Sequence, residues 1–438
     1  MIPESTVVLF PGQGAYRPGL LPALSEASPE AAAALEQVGA ASGGVLEQLI
    51  TAERGLSLDE LSDLHPDCLQ LGIFATCVTL WATHREACPD DAILMGHSLG
   101  EIAAFTCAGG YSIADGTRVV LARNAALTGL GTTDGGMAAL GLDAERAEAL
   151  LRLAGDPTAA IACRNAPSQT VVSGSDHALA RVEALAGALR LSFTRLHAPF
   201  PFHSPRMTRA VAAYRSGITA IPQRLLTYRV YSPLLARFVG DDDDLAVLLA
   251  DQFTAPVELM SAVRSLHARG ARHFIECGVG RATVNLVSQT VPSIRTTTWD
   301  TDPAAQPSGV TGTEPAAAPA TGTSGADTDR ADTSPPTEPA AREPDGRSDT
   351  PELTEILQIL RDLYAETLEY PIDAFEADAD LEADLGIDSL KQTALLTRTA
   401  QRFGLPDDDE EVRVADHPTL EAVAATVRHR LTADRAGE

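Results

Sequence analysis

The sequence predicts an α/β protein with a small α+β domain inserted into it, then a tether and a compact C-terminal domain. Three observations carry this. Short apolar strand runs alternate with longer helical runs on both sides of the insertion, which points to an α/β core. Between them lies a β-α-β-β-α-β order, the signature of a ferredoxin-like unit. From about residue 302 to 350 the chain is Pro, Ala, Thr, Gly, Ser and Asp with almost no large apolar side chain.

The elements follow in order. Thr6-Val7-Val8-Leu9-Phe10 is an apolar strand that ends in the turn Pro11-Gly12-Gln13-Gly14. Helices are expected over about 31–49 and 69–85, then a strand at Ile93-Leu94-Met95 and a helix over 113–127. The inserted unit, about 132–198, opens on Gly136-Met137-Ala138-Ala139-Leu140. It continues with a helix over 144–154, strands at 158–165 and 170–173, a helix over 176–189 and a strand at 192–196. The core resumes with Thr227-Tyr228-Arg229-Val230-Tyr231, a helix over 245–252 and His273-Phe274-Ile275-Glu276. The expected domains are 1–300, a disordered Pro/Ala/Thr-rich linker over 301–350, and 351–438. Such a linker cannot bury enough surface to offset its chain entropy, and fifty flexible residues span roughly 40 Å.

Composition narrows the function classes. The 438 residues are 45% hydrophobic, ample for two or three packed interiors, yet no run of eighteen apolar residues suggests a membrane span. Met1-Ile2-Pro3-Glu4-Ser5 lacks a basic region, so no signal peptide is expected and the protein reads as cytoplasmic. Six scattered cysteines without a Cys-x-x-Cys pair suggest reduced thiols and no metal framework. A formal net charge of -27 argues against nucleic acid or an anionic membrane as partner.

Two serines stand out. Ser98 lies in Ile93-Leu94-Met95-Gly96-His97-Ser98-Leu99-Gly100-Glu101, an apolar strand that breaks into Gly-x-Ser-x-Gly and opens a helix. This is the strand–turn–helix context of an α/β-hydrolase-like core, where the sharp turn lifts a nucleophilic hydroxyl out of the sheet. The bland reading is a buried turn serine. Ser389 lies in Leu385-Gly386-Ile387-Asp388-Ser389-Leu390-Lys391, where Asp388 can cap a helix and leave Ser389 exposed at its first turn. Leu390, Leu395 and Leu396 would form the apolar stripe of that helix.

The C-terminal segment resembles acyl carrier proteins, in which Asp-Ser-Leu at a helix start receives 4′-phosphopantetheine. The resemblance implies a small all-α helical bundle with the cofactor on Ser389, attached by a phosphopantetheinyl transferase. Residues 1 to about 300 resemble the malonyl-CoA:acyl carrier protein transacylase family, including the acyltransferase domains of polyketide synthases. The matching blocks are Phe10-Pro11-Gly12-Gln13-Gly14, Gly96-His97-Ser98-Leu99-Gly100-Glu101, Arg123, Gly135-Gly136-Met137, Asn165-Ala166-Pro167, Val171-Val172-Ser173-Gly174, Phe202-His203-Ser204-Pro205-Arg206-Met207 and Glu276-Cys277-Gly278-Val279-Gly280. Val279 departs from the proline often found there.

Acyl transfer from a thioester needs a nucleophile, a base, an oxyanion site and a way to recognise the acyl group. Ser98 is the expected nucleophile. His203, after the apolar Ala198-Pro199-Phe200-Pro201-Phe202 and before Ser204-Pro205, is the expected base. His97 is expected to line the pocket or touch substrate, and Asn165 to bind substrate. The resemblance puts Gln252 beside His203, orienting it by a hydrogen bond. The backbone N–H groups of Leu99 and Gln13 are the expected oxyanion donors, and Gly12 and Gly14 are read as allowing close approach of a ligand. Arg123 is either a solvated helix charge or a buried clamp. In the family this position binds the malonyl carboxylate, which a guanidinium fork suits. Phe200-Pro201-Phe202-His203 resembles the malonyl-type His-Ala-Phe-His more than the methylmalonyl-type Tyr-Ala-Ser-His, although Phe200 and Pro201 depart from it. A bulky Phe202 would crowd an α-methyl group.

The expected function is transfer of a malonyl-type group from acyl-CoA to a carrier protein, with ketosynthase-containing components downstream, in polyketide or fatty-acid-type biosynthesis. The alternatives are a trans-acting acyltransferase for another unit such as methylmalonyl, a non-catalytic carrier scaffold, or a serine hydrolase. Intact Ser98, His203 and Arg123 count against decay, and Arg123 counts against hydrolysis.

Overall fold

The computed structural model describes residues 5–299, apart from 55, 57–59, 62–63 and 132–133. Beyond them it describes 353–368, 375, 381, 395–396, 398–399, 402–403 and 419–433. Ser389 and the expected linker lie outside the described residues.

The chain starts with β1 (Ser5–Phe10), buried at Val7 through Phe10 as a strand covered on both faces must be. Four helices follow, α1 (Leu20–Ala27), α2 (Pro29–Ser42), α3 (Val45–Ala52) and α4 (Pro66–His84). The single helix expected over 31–49 is two helices. Gly43 (φ 63°) and Gly44 (φ 95°) take left-handed conformations that end α2 and redirect the chain into α3. α4 is buried without a break from Cys68 to Trp81, as a helix apolar on all sides should be. Then come β2 (Ile93–Gly96), α5 (Gly100–Cys107) and α6 (Ile113–Thr128), the last capped by the Ser112 hydroxyl.

The insertion runs β3 (Gly136–Leu140), α7 (Ala144–Ala154), β4 (Ala160–Ala166), β5 (Gln169–Gly174), α8 (Asp176–Ala188) and β6 (Phe193–Leu196). Its strands form an antiparallel sheet in the order β4-β5-β3-β6, a ferredoxin-like arrangement. Strand alternation divides the side chains between two cores. Ala138, Leu140 and Val172 pack with Leu150, Leu179 and Val182 of α7 and α8. Met137 and Val171, one residue away on the other face, join the principal core.

The core resumes with α9 (Thr208–Ile218), β7 (Arg229–Ser232), β8 (Arg237–Phe238), α10 (Leu245–Asp251), α11 (Leu259–Ala268), β9 (Ala271–Glu276), α12 (Ala282–Thr290) and β10 (Arg295–Thr298). The six core strands are ordered β10-β9-β1-β2-β7-β8, all parallel except β8. The chain winds outward from β1 through β2 and β7, then returns to β1's other side with β9. Such a reversal opens a crevice at the carboxyl ends of the central strands. The Pro11–Gly14 turn follows β1 there, and the Ser98 turn follows β2.

In the C-terminal part, α13 (Leu353–Leu368) and α14 (Leu420–Ala433) pack against each other. Ile356, Leu360, Tyr364, Val423, Ala424 and Val427 are buried, and Tyr364 meets Phe375 edge-on. Other helices of the expected bundle lie outside the described residues.

Candidate active site

Ser98 sits at φ 52°, a strained left-handed conformation for a non-glycine residue. The turn is so tight that a Cβ on Gly96 would fall 2.2 Å from the Glu101 nitrogen, and one on Gly100 2.0 Å from the Phe10 carbonyl oxygen. Glycine is required at both positions by backbone contact. Gly12 serves the same packing. A Cβ there would lie 2.8 Å from the His97 carbonyl oxygen and 3.5 Å from the Ser98 Cβ, so this glycine lets the loop pack against the serine turn. The Gln13 loop is thereby pressed against the Ser98 turn, and the His97 N–H donates to the Phe10 carbonyl at 2.9 Å. The side chain of Gln13 donates to the His197 carbonyl at 2.6 Å. Leu99, the residue after the turn serine, is buried and leads directly into α5.

Ser98 Oγ lies 2.8 Å from Nε2 of His203, 105 residues further along the chain. His203 is 2% exposed and also adopts a positive φ, 58°. Its Nδ1 is 2.8 Å from the Gln252 carbonyl oxygen and 3.1 Å from that of Ala255. Two acceptors at Nδ1 keep the proton there and leave Nε2 to accept the Ser98 hydroxyl. Gln252 is therefore beside the histidine, but its main-chain carbonyl makes the contact. Its side chain turns the other way and donates to the Ser98 carbonyl at 2.9 Å and to Glu101 Oε2 at 2.7 Å. The reason is geometric: Gln252 ends α10, where carbonyls lack helical partners and are available to a ring N–H.

Glu101 was not singled out in the sequence. It is buried on α5, accepts from Ser232 and Gln252, and burial raises its carboxyl to about 7. Its place three residues after the serine, in a helix otherwise Gly, Ile, Ala, Phe, Thr and Cys, was the available signal.

Burial, reinforced by the nearby His97 and Arg123, pulls His203 down to about 3, outweighing its two carbonyl partners. The imidazole is thus neutral at physiological pH. Below its ordinary range, a histidine with a lowered value stays unprotonated until the pH approaches that lowered value. A reaction that uses His203 as base is therefore expected to hold its rate plateau from pH 8 down to pH ~5. A pH–rate profile checks this, and an acid limb centred near the ordinary histidine value of ~6.5 would refute it.

Arg123 is 3% exposed on α6, so the solvated-charge reading is excluded. Its Nη1 donates to Gln70 Oε1, and its Nε is buried without a hydrogen-bond partner. The guanidinium carbon lies 4.8 Å from the Phe202 ring centroid and 5.1 Å from that of Phe253. Burial lowers its pKa to about 10, and it remains cationic. Gln70 also escaped the sequence reading, though a lone amide in Cys68-Leu69-Gln70-Leu71-Gly72 of an all-buried helix marks a polar group that needs a buried partner.

His97 Nε2 is 2.9 Å from Asn165 Oδ1, and Asn165 Nδ2 donates to Gln169 Oε1 at 2.8 Å. Both ends of the Asn165 amide are thus engaged within the protein, tying the serine turn to β4 and β5 of the insertion.

A turn serine bonded to a neutral, backbone-oriented histidine is the arrangement of enzymes that pass an acyl group through a serine ester. Residues 7–306 match the acyl transferase domain family and residues 358–427 the phosphopantetheine attachment site family. The chain belongs to the acyl transferase family, with a carrier region that bears 4′-phosphopantetheine covalently. It is 32% identical over 279 residues to the spectinabilin polyketide synthase system protein NorA' of Streptomyces orinoci, covering 63% of this chain and 8% of that one. A polyketide synthase subunit for phenolphthiocerol and phthiocerol from Mycobacterium tuberculosis is 29% identical, with 62% and 17% covered. The chain thus spans under a fifth of either relative. Among solved structures, the acyltransferase domain from the second module of the salinomycin polyketide synthase matches at TM-score 0.60 and 26% identity, covering 68% of this chain and 69% of that one. Malonyl-CoA:acyl carrier protein transacylase from Xanthomonas oryzae matches at TM-score 0.63 and 25% identity, with 69% and 96% covered. Both curated relatives are polyketide synthase proteins by name.

No helix among the described residues is long and apolar enough to cross a membrane. The six cysteines are buried and free.

Proposed function

We propose that the chain takes a malonyl-type acyl group from CoA onto Ser98 and passes it to an acyl carrier protein, in the first place its own C-terminal domain at Ser389. The observation that carries this is the 2.8 Å Ser98–His203 contact beside the buried cation Arg123. His203 Nε2 takes the hydroxyl proton as Ser98 Oγ attacks the thioester carbonyl. The C–S bond breaks, and His203 returns that proton to the departing CoA sulfur. In the second half-reaction His203 takes the proton of the incoming thiol as its sulfur attacks the ester carbonyl, the ester C–O bond breaks to leave the new thioester, and the proton goes back to Ser98 Oγ. The N–H groups of Leu99 and Gln13 stabilise the oxyanion of each addition, and Arg123 holds the distal carboxylate. The 4′-phosphopantetheine supplies the accepting thiol.

A tether about fifty residues long gives an effective carrier concentration on the order of mM, enough for self-loading. A phosphopantetheinyl transferase primes Ser389, and ketosynthase-containing components draw on the loaded carrier. Buried free thiols suit the cytoplasm.

Intact-mass and peptide mass spectrometry of the pantetheinylated chain incubated with malonyl-CoA tests this. Malonyl is expected on Ser98 and on the carrier thiol. In Ser389→Ala the first adduct is expected to remain and the second to vanish. Transfer surviving in that variant would show that another thiol in the chain accepts the group, and free malonate without either adduct would show a hydrolase.

A further inference from the structure

Tyr214 on α9 is 1% exposed, and its hydroxyl is buried without a hydrogen-bond partner. A buried hydroxyl left unpaired loses its hydration without replacement, so native structures almost always supply an acceptor or donor. The Tyr214 ring lies 5.2 Å from the Phe253 ring, whose centroid is 5.1 Å from the Arg123 guanidinium carbon. Phe202, next to His203, stacks on the same Phe253 ring at 6.2 Å and lies 4.8 Å from the guanidinium carbon. α6 and α9, which carry Arg123 and Tyr214, pack side by side. Burial raises the phenol well above its ordinary range, while the charge of Arg123 acts against that rise, so the hydroxyl is protonated and is a donor.

Two buried donors thus flank one aromatic ring without an acceptor: the Tyr214 hydroxyl and Arg123 Nε. A neutral carbonyl or ether oxygen would satisfy one of them. A carboxylate offers two oxygens and about four lone-pair sites, and its charge matches the guanidinium. We infer that Tyr214 is a specificity-determining residue whose hydroxyl donates to the distal carboxylate of the acyl group, alongside Arg123. This rests on the proposed reading that Arg123 receives a carboxylated acyl unit, and adds a second side chain to its recognition. Nothing in the sequence signals it, because Tyr214 occupies an ordinary core position on an amphipathic helix.

The test compares wild type with Tyr214→Phe, which removes the hydroxyl and keeps the ring. Rapid-quench acylation of Ser98 in the full chain is measured with malonyl-CoA and with acetyl-CoA, and thermal melting confirms folding. A hydrogen bond to a charged group implies that the malonyl-to-acetyl ratio of second-order rate constants falls about 10- to 100-fold. A structural role would lower both rates together, and a hydroxyl satisfied by solvent would leave the ratio unchanged. Either outcome, in an enzyme whose wild type prefers malonyl, overturns the role of Tyr214 and leaves the reading of Arg123 standing. A wild type without preference for malonyl over acetyl overturns that reading, and this inference with it.

Discussion

Ser98→Ala is expected to lower acyl-enzyme formation by about 10⁴-fold or more, because no other group at the turn can replace the attacking oxygen. The fold should tolerate the change. Serine already pays the cost of φ 52°, and alanine at the same conformation pays no more. The contacts that shape the turn are main-chain ones, between His97 and Phe10 and between Glu101 and Ser98, and they survive. His203 keeps both carbonyls at Nδ1 and loses its partner at Nε2 only. Pantetheinylation of Ser389 should proceed at the wild-type rate, since the attachment site belongs to a separately matched carrier region. Mass spectrometry after malonyl-CoA treatment reads both events at once. Front-domain labelling of Ser98→Ala at the wild-type rate would displace Ser98 as nucleophile.

Arg123→Ala should reverse the substrate preference. Breaking a buried charge pair by removing one partner costs about 3–5 kcal/mol for the substrate that forms the pair. At ~1.4 kcal/mol per decade this lowers the malonyl-to-acetyl rate ratio by roughly two to three orders of magnitude. Acetyl, which offers no carboxylate, loses no ion pair. The variant also leaves the buried Gln70 amide without its donor and Phe202 and Phe253 without the cation they cover, so some loss of melting temperature accompanies it. Stability and selectivity are separable because the ratio compares two substrates on one protein. Equal losses for both acyl groups would make Arg123 structural and reopen the question of the acyl unit.

How much of this was legible varies with the physics of each part. The inserted unit was readable almost residue for residue, since its strand and helix periods and their β-α-β-β-α-β order are local signals. The helices α1, α9, α11 and α12 and the edge strands β8 and β10 were not recognised. Arg295-Thr296-Thr297-Thr298, for instance, carries no apolar alternation and becomes a strand by pairing with β9. At the site, Ser98 and its glycines announced themselves because a sharp turn restricts residue type locally. His203 stood out among ten histidines chiefly through a family resemblance. Gln70 and Glu101 carried only the faint signal of a polar side chain in an apolar helix, and Phe253 and Tyr214 were silent, because what distinguishes them is a partner, or the lack of one, dozens of residues away.

The linear order of residues was enough for the α/β class, the insertion, the nucleophile turn and the carrier motif, all of which depend on periodicity or on short-range sterics. The fold alone brought His203 to Ser98 across 105 residues and aimed the Gln252 main chain, rather than its side chain, at the imidazole. It also buried Arg123 between Gln70 and two phenylalanines and left the Tyr214 hydroxyl beside it without a partner. These are contacts between elements distant in the chain, set by how helices and sheets pack once apolar surface is removed from water. Side-chain direction at a helix end, and the satisfaction of a buried polar group, have no period for a sequence to display.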